Sequence, residues 1–275
     1  MTVYDNRDLR DHVKTPIAAL CGLDRRGTGK PHFRFHVGGR TFAYCYIRKN
    51  ACSAFKKLIV DLSEHRHLCP PDRNPIDFLV RYHQEDSLAA LSRCDATVFV
   101  YRHPVERLAS LFINKFVMRS GCDDIFADFR QATGREPGTV SFRGFVGGYL
   151  SGDLLARDPH VWPQHAHLHH IRYTDAVFIG DLRPHMSALL GPELAERYFG
   201  KKTNASEGRT AATNSCLGTW SADELAETFR ARGILPGADQ IATPDIAEEI
   251  AGIYADDLRL FHSLSRSRRR EPALN

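Results

Sequence analysis

Apolar residues in this chain form short continuous runs that alternate with stretches of helical periodicity. Residues 33–37 and 40–47 are strand-like and flank Gly38-Gly39, a pair typical of a tight hairpin turn. The run Thr41-Phe-Ala-Tyr-Cys-Tyr-Ile47 is almost wholly apolar, which indicates a strand buried on both faces. A polar loop follows this run, and apolar residues then recur at helical spacing over residues 55–62.

The same order of strand, loop and helix recurs further along the chain. Ala96-Thr-Val-Phe-Val-Tyr101 is a second strand-like run, and Arg102-His-Pro104 ends it. Pro104 suits the first turn of a helix, which the apolar spacing extends to about Arg119. Two such units predict an α/β fold with a mainly parallel sheet. In such sheets ligands bind beyond the carboxyl ends of the strands, so the two polar loops are expected at a binding edge.

The remaining pattern predicts one continuous globular domain over residues 1–275. The stretch from residue 120 to 175 is rich in loop signals and is interpreted as a lid or acceptor-binding region. The basic end of the chain, residues 265–275, is predicted to be a disordered tail. Further elements are predicted as helices at residues 142–150, 181–190 and 222–232, a strand at 176–180, and a long helix with Thr243 as N-cap and Pro244 at its first position.

Composition narrows the class of protein. Lys and Arg number 37 against 33 Asp and Glu, a mild positive balance that does not indicate a nucleic-acid partner. No run approaches the ~20 apolar residues that a membrane span needs, and the first residues lack the pattern of a secretory signal, so we expect a cytoplasmic protein. The 7 cysteines are odd in number and form no CxxC pair, which argues against a disulfide framework and against a thiolate zinc site.

Two segments imitate functional motifs without meeting their requirements. Gly27-Thr-Gly-Lys30 resembles the end of an ATP phosphate loop, but Asp24 and Pro31 stand where that motif needs Gly and Ser or Thr. The run His165-Ala-His-Leu-His-His170 matches no metal-ligand spacing, so these residues are interpreted as surface or structural histidines. No metal site is therefore predicted.

The loops after the two main strands both carry anion-binding chemistry. Arg48, Lys49 and Ser53 lie where a strand ends and a helix begins, so free backbone N–H groups and positive side chains point at one place. Arg102 ends the second strand, and Ser110 lies about two helical turns further on. A basic surface turn, or an Arg102 paired with an acid, would explain either loop alone. Both loops together suggest a ligand with two separate anionic groups.

Two longer segments resemble the carbohydrate sulfotransferases, a family that includes the Golgi enzymes acting on chondroitin and dermatan. Tyr46-Ile-Arg-Lys-Asn-Ala-Cys-Ser-Ala-Phe-Lys-Lys-Leu58 is similar to the family's 5'-phosphosulfate loop, Pro-Lys-x-Ala-Cys-Thr-x-Trp-Lys. Phe99-Val-Tyr-Arg-His-Pro-Val-Glu-Arg-Leu-Ala-Ser-Leu-Phe-Ile-Asn-Lys-Phe116 is similar to its 3'-phosphate motif, Val-Arg-Asp-Pro-Phe-Glu-Arg-Leu-Val-Ser-x-Tyr-x-x-Lys-Phe. The chain departs from these patterns at Arg48, Ser53, Ala54 and His103. Shorter similarities follow at residues 158–164, 175–180, 203–206 and 253–257.

The resemblance implies a P-loop-like three-layer α/β fold and a soluble, bacterial-type sulfotransferase. Its co-substrate would be 3'-phosphoadenosine 5'-phosphosulfate (PAPS), released as 3',5'-adenosine bisphosphate, and its acceptor a hydroxyl group of a saccharide or glycolipid. Lys49 would stabilise the leaving group. The residues implied in nucleotide binding are Arg48, Lys49, Asn50, Ala51, Cys52, Ser53, Ala54, Arg102 and Ser110, with Asn204, Ser206 and Arg209 closing over the nucleotide.

The sequence leaves more than one candidate for the general base and for the activity itself. His160 is the first choice for the base because it lies in the family-like segment after the 3'-phosphate helix, and His83 is the second. An ATP-dependent phosphotransferase is an alternative function, although no Walker A motif or magnesium-ligand signature is present. A catalytically inactive nucleotide-binding or interaction protein is another. The oligomeric state is not predicted.

Overall fold

The described part of the chain divides into two compact units. The computed structural model describes residues 2–7, 31–71, 74–200 and 216–270. Unit 1 comprises Met1–Tyr101, Gln164–Thr203 and Phe261–Asn275, and unit 2 comprises Arg102–Pro163 and Asn204–Leu260. Each unit has its own apolar core. The single domain expected over residues 1–275 stays a prediction.

Unit 1 contains a four-stranded, mainly parallel sheet. The strands in the described residues, including two outside this sheet, are β1 Tyr4–Asp5, β2 His32–Val37, β3 Arg40–Cys45, β4 Ala96–Tyr101, β5 Arg172–Tyr173 and β6 Asp175–Phe178. The sheet order is β2-β3-β4-β6, with β3–β4 and β4–β6 parallel, while β1 pairs with β5 in a separate small ribbon. Strands β2 and β3 are antiparallel, and Val37 lies opposite Arg40 across the two glycines. The predicted hairpin and the predicted parallel sheet are both confirmed.

Twelve α-helices occur in the described residues, and helical turns of other kinds connect them. The 3₁₀ turns are Arg66–Leu68, Pro137–Thr139, Leu154–Ala156, Gln164–His167 and Ile179–Asp181, and π-helical turns cover Ile113–Val117 and Phe145–Tyr149. The α-helices are α1 Cys52–Leu62, α2 Ile76–His83, α3 Leu88–Leu91, α4 Pro104–Phe112, α5 Asp123–Thr133, α6 Phe142–Gly144, α7 Leu182–Leu190, α8 Pro192–Phe199, α9 Ala222–Arg232, α10 Ala238–Ile241, α11 Pro244–Ile253 and α12 Ala255–Arg270. Among these residues no helix is both long and apolar enough to cross a bilayer.

The sheet of unit 1 is covered on both faces, because alternate residues of its inner strands point to opposite sides. On one face Tyr44, Val98 and Val100 pack into a core shared with helices α1, α2, α7 and α8. On the other face Phe99 contacts Tyr4 and Tyr173 of the small ribbon. The third layer is completed by the second half of α12, where Phe261 packs against Tyr101 and Phe178. The fold is therefore the predicted three-layer α/β arrangement.

Unit 2 is largely helical, and the expectation of a loop-rich segment at residues 120–175 is corrected for residues 123–149, whereas residues 150–175 contain only short turns and strand residues. Helices α5 and α6 and several short turns lie in that stretch. Its core is aromatic: Phe116 contacts Phe129 and Phe145, with ring centroids 5.4 and 5.1 Å apart. Sequence periodicity missed α5 because its charged first turn, Asp123-Asp124, resembles a loop. The assignment of this region as a lid or acceptor-binding region stays a prediction.

The predicted long helix after Pro244 is two helices. Thr243 occupies the N-cap position, but its hydroxyl donates to the Asp245 carboxylate and accepts no capping hydrogen bond from a backbone N–H of the helix. The helix breaks at Tyr254, whose backbone leaves the helical region (φ −109°, ψ 36°). Helix α12 then continues to Arg270, so the disordered tail predicted from residue 265 is corrected for residues 265–270. Within α12, Arg268 forms an ion pair with Asp181. Residues 271–275 lie outside the described residues.

Candidate functional site

The loop between β3 and α1 in unit 1 has the backbone geometry of an anion site. Lys49 and Ala51 adopt left-handed conformations, with φ of 69° and 58°, and Asn50 between them does not. Alternation of this kind turns successive N–H groups toward one side, the arrangement known as an anion-binding nest. The loop then opens directly onto the N-terminus of α1, which has no side-chain cap and no acidic residue in its first turn.

Positive charge gathers beside this loop. The Arg48 guanidinium lies over the Tyr46 ring, 5.4 Å from its centroid. Lys56, one turn into α1, donates to the Asn74 side chain at 2.8 Å. Burial lowers the pKa of Lys56, the thiol of Cys52 opposes that change, and Arg48 adds to it. Arg48 and Lys56 therefore repel one another electrostatically, and an anion placed between them would relieve that repulsion.

Ser53 and Ala54 begin helix α1, whereas the Asn50 side chain points into the interior. Ser53 is half-buried and Ala54 is buried. Asn50 is 0% exposed, and its backbone N–H donates to the Ile47 carbonyl at 3.2 Å, so the structure does not offer Asn50 for the nucleotide contact that the resemblance implies. The structure thus brings together the predicted residues from Arg48 to Ala54, and it separates the inward side chain of Asn50 from the outward ones.

In unit 2, Arg102 and Ser110 belong to one helical face. Arg102 directly follows β4 in the chain, and its Nε donates to Glu106 Oε2 at 3.4 Å. Ser110 lies four residues beyond Glu106, so it shares the side of α4 that Glu106 occupies. The Arg102 side chain is only 22% exposed. Burial lowers its pKa and Glu106 opposes that change, but a guanidinium remains protonated at neutral pH.

His160 forms a close pair with Asp158. The ring Nδ1 lies 2.6 Å from Asp158 Oδ1, and the same oxygen accepts the backbone N–H of His160 at 2.8 Å. The side chains are 17% and 9% exposed. A carboxylate at Nδ1 fixes the tautomer with the proton on that nitrogen, which leaves Nε2 as the ring nitrogen able to take up a proton. This pair is the arrangement that general-base chemistry needs.

The segment that carries His160 is held by two buried side chains. The Arg107 guanidinium donates to the His160 carbonyl at 3.0 Å, and Arg107 is fully buried. The Tyr254 hydroxyl donates to the next carbonyl, that of Val161, at 2.5 Å. Burial raises the pKa of Tyr254 well above its ordinary value, so this hydroxyl stays protonated and remains a donor. Three of the family-like segments thus meet in unit 2 around residues 158–162.

His83, the second choice for the base, is held on both sides of its ring. Nδ1 lies 2.9 Å from the Arg34 carbonyl, and Nε2 lies 2.8 Å from the Ser63 hydroxyl. The carbonyl can only accept, so Nδ1 carries the proton and Nε2 accepts from the serine. Burial lowers the pKa of His83, which favours the neutral ring. This geometry favours a structural role for His83.

The histidines of residues 165–170 also have structural partners. His169 stacks on His32, with ring centroids 4.4 Å apart, and the His170 ring contacts the Asn6 carbonyl at 3.2 Å. The His167 carbonyl accepts from the Cys45 thiol. Across residues 2–7, 31–71, 74–200 and 216–270, no group of three or more His, Cys, Asp or Glu side chains is placed to hold a metal ion.

Some predicted positions lie outside the described residues, and some useful residues were missed. Asn204, Ser206 and Arg209 fall outside, as does Gly27-Thr-Gly-Lys30. Sequence reasoning passed over Lys56, although the family pattern also ends in Lys at this place. It also passed over Asp158 and Arg107, which the spacing relative to His160 and the motif Glu106-Arg107 could have indicated.

Comparison with known proteins gives one match. The model of the sulfotransferase family matches residues 38–262, which is most of the chain. No curated protein and no solved structure matches the chain at a significant level.

Proposed function

Because this chain belongs to the sulfotransferase family, we propose that it moves a sulfuryl group from PAPS to a hydroxyl group of a saccharide or glycolipid. The observation that carries the proposal is the loop at residues 48–54. It joins a parallel strand to an uncapped helix, turns its N–H groups to one side and gathers Arg48, Lys49 and Lys56. Such a loop suits a phosphate or sulfate group on the carboxyl edge of an α/β sheet.

The donor is held at its two anionic ends. Backbone N–H groups of residues 51–53 and the Ser53 hydroxyl bind the 5'-phosphosulfate, with Arg48 and Lys56 balancing its charge, whereas the Asn50 N–H is already donated to the Ile47 carbonyl. Arg102 and Ser110 bind the 3'-phosphate, and the guanidinium exchanges its contact with Glu106 for one with the ligand. Asn204, Ser206 and Arg209 remain predicted to close over the nucleotide.

The transfer is an in-line displacement at sulfur. The acceptor oxygen forms a new bond to sulfur while the bond from sulfur to the bridging oxygen of the 5'-phosphate breaks. Negative charge grows on that bridging oxygen, and the Lys49 ammonium stabilises it. His160 Nε2 removes the proton of the acceptor hydroxyl, and Asp158 stabilises the imidazolium that results. The products are a sulfate ester and 3',5'-adenosine bisphosphate.

The saccharide acceptor rests on the resemblance to the chondroitin and dermatan sulfotransferases. Family membership itself implies an acceptor hydroxyl and leaves its carrier open. Saccharides and glycolipids are therefore the first acceptors to supply, followed by phenols and tyrosyl peptides.

The test is transfer of ³⁵S from labelled PAPS to a panel of these acceptors, with release of 3',5'-adenosine bisphosphate measured in parallel. Lys49→Met should abolish transfer while the protein still binds the nucleotide product. Lys57→Met is the matched control, because Lys57 lies beyond the loop on helix α1, where its exposed side chain pairs with Asp61 at 2.8 Å. Magnesium-dependent transfer from labelled ATP would replace the proposal with a phosphotransferase. Donor binding without turnover on any acceptor would indicate an inactive nucleotide-binding protein.

A further inference from the structure

The phosphosulfate loop achieves its curved conformation without glycine. Lys49 and Ala51 both have positive φ, a region where a Cβ atom is disfavoured. Non-glycine residues persist in such conformations only when their surroundings fix them. ATP phosphate loops commonly use glycines for this purpose. Some other feature of this chain must therefore hold the loop.

Asn50, between the two left-handed residues, is held from four directions. Its Nδ2 donates to the Val100 carbonyl of β4 at 2.8 Å and to Gln164 Oε1 at 2.6 Å. Its backbone N–H donates to the Ile47 carbonyl at 3.2 Å. Its carbonyl accepts from the Tyr44 hydroxyl at 3.4 Å. All these partners belong to unit 1, and Asn50 is completely buried.

These contacts fix the residue whose neighbours carry the unusual backbone. Once Asn50 is fastened to β4 and to the turn at Gln164–His167, the chain must reverse on either side of it within one residue. Lys49 and Ala51 make those reversals, with φ of 69° and 58°. Both amide hydrogens of the side chain are used, so a side chain of another kind cannot make the same two contacts.

We propose that Asn50 is a positioning residue that holds the phosphosulfate loop in its anion-binding conformation, in place of loop glycines. The proposal rests on the function proposed above, because it assigns to Asn50 the shape of the loop that receives the donor. It gives the asparagine side chain a task separate from contact with the ligand. It also predicts that a glycine introduced next to Asn50 can replace part of the anchoring.

The first test is calorimetric titration of 3',5'-adenosine bisphosphate into the full chain and its variants. Asn50→Ala should lose about ten- to fiftyfold in affinity, since the loop must be ordered on binding. Ala51→Gly alone is measured as the reference for the double variant, because Ala51 itself belongs to the loop that receives the donor. The double variant should regain about threefold or more over Asn50→Ala, because glycine adopts positive φ without the steric cost. A double variant no better than Asn50→Ala contradicts the proposal.

Two further variants separate positioning from simple destabilisation. Gln164→Leu removes one acceptor from outside the loop and should give an intermediate loss of affinity. Thr97→Val is the matched control, because it removes buried hydrogen bonds to Thr174 and Arg172 from the same strand, about 10 Å before Val100. Thr97→Val should lower the melting temperature and leave affinity unchanged. If Asn50→Ala behaves like Thr97→Val, Asn50 has a structural role alone.

Hydrogen exchange distinguishes failure of this inference from failure of the proposed function. Amides of residues 48–53 should exchange faster in Asn50→Ala than in the wild type, and those of β4 should not. If the wild type binds no 3'-phosphonucleotide but Asn50→Ala still shows this loop-specific increase in exchange, the anchoring stands and the proposed function fails. If the wild type binds the nucleotide and loop exchange is unchanged in Asn50→Ala, the anchoring is wrong.

Discussion

Replacement of Arg102 by alanine should remove the preference of this protein for nucleotides that carry a 3'-phosphate. In the structure the guanidinium is mostly shielded from solvent, at 22% exposure, and it contacts Glu106 over one helical turn at 3.4 Å. A fork of N–H donors in such surroundings suits a phosphate group, which it can contact through two parallel hydrogen bonds. The variant Arg102→Ala leaves the loop at residues 48–54 untouched.

The magnitude follows from two opposing contributions. Hydrogen bonds to charged groups contribute about 1.5–3 kcal/mol each in net terms. Arg102 must first leave Glu106, whose carboxylate is half-exposed, and an ion pair of this kind is worth about 0–1 kcal/mol. For a single bond to the phosphate the difference is about 0.5–3 kcal/mol, which corresponds to a loss of roughly 2- to 150-fold in affinity, and a second parallel bond increases that loss. The shielding of the guanidinium favours the upper part of that range.

The assay is a pair of titrations for each protein, one with 3',5'-adenosine bisphosphate and one with AMP. The loss in Arg102→Ala should appear with the first ligand, while AMP affinity stays within about twofold. Glu106→Gln is the matched control: it frees the guanidinium, so affinity for the bisphosphate should rise by up to about fivefold. If Arg102→Ala still prefers the bisphosphate over AMP by the wild-type factor, the 3'-phosphate is bound elsewhere and the reasoning is refuted.

Three further predictions concern the base, the buried lysine and the sheet. Asp158→Asn should reduce kcat by about 10-fold or more with little change in the KM for PAPS, because the amide no longer stabilises the His160 imidazolium. An equal loss in His160→Ala and in the His160→Ala/Asp158→Asn double variant would support the pair, and full activity in Asp158→Asn would exclude it. Burial lowers the pKa of Lys56, so nucleotide affinity should fall at alkaline pH as the Lys56 ammonium loses its proton. Lys56→Arg should abolish that fall, because a guanidinium stays protonated. Identical pH curves for the wild type and Lys56→Arg would rule Lys56 out as a ligand. Burial alone would raise the pKa of Asp175, but hydrogen bonds from His185 and Thr174 hold it below 3.8. Its contribution of about 1–3 kcal/mol is therefore present above that pH and is lost as the pH falls through the lower folded value. Urea unfolding should show Asp175→Asn destabilised at pH 7, with a difference from the wild type that shrinks steadily as the pH falls below 3.8, and a constant difference would contradict the assignment.

The strands of unit 1 could be predicted from the sequence because burial on both faces leaves a clear signal. Ala96–Tyr101 is apolar except for Thr97, and the structure places a strand over those same residues. The hairpin turn was equally clear, because a pair of glycines readily adopts the positive φ that both glycines of the turn have in the structure. Local chemistry determined these elements, so no knowledge of distant contacts was needed.

The features that the sequence did not reveal depend on distant contacts. Tyr254 breaks a helix that periodicity extends without interruption, and its hydroxyl reaches the Val161 carbonyl, 93 residues away. Asn50 was expected among the ligand-binding residues, but its side chain is directed inward by partners at Val100 and Gln164. The pairing of Asp158 with His160 is an exception because it is local, and the spacing of two residues was a signal that the sequence did contain.

The order in which the chain builds its two units affects how the protein folds during synthesis. Unit 1 is assembled from three separate segments, and the last of them begins at Phe261. When the ribosome has completed β4 and β6, the sheet face that carries Tyr101 and Phe178 still lacks the aromatic side chain that finally covers it. That apolar surface stays open to chaperones and to other chains until Phe261 has emerged from the ribosome. Neither unit can be produced from one uninterrupted stretch of the gene.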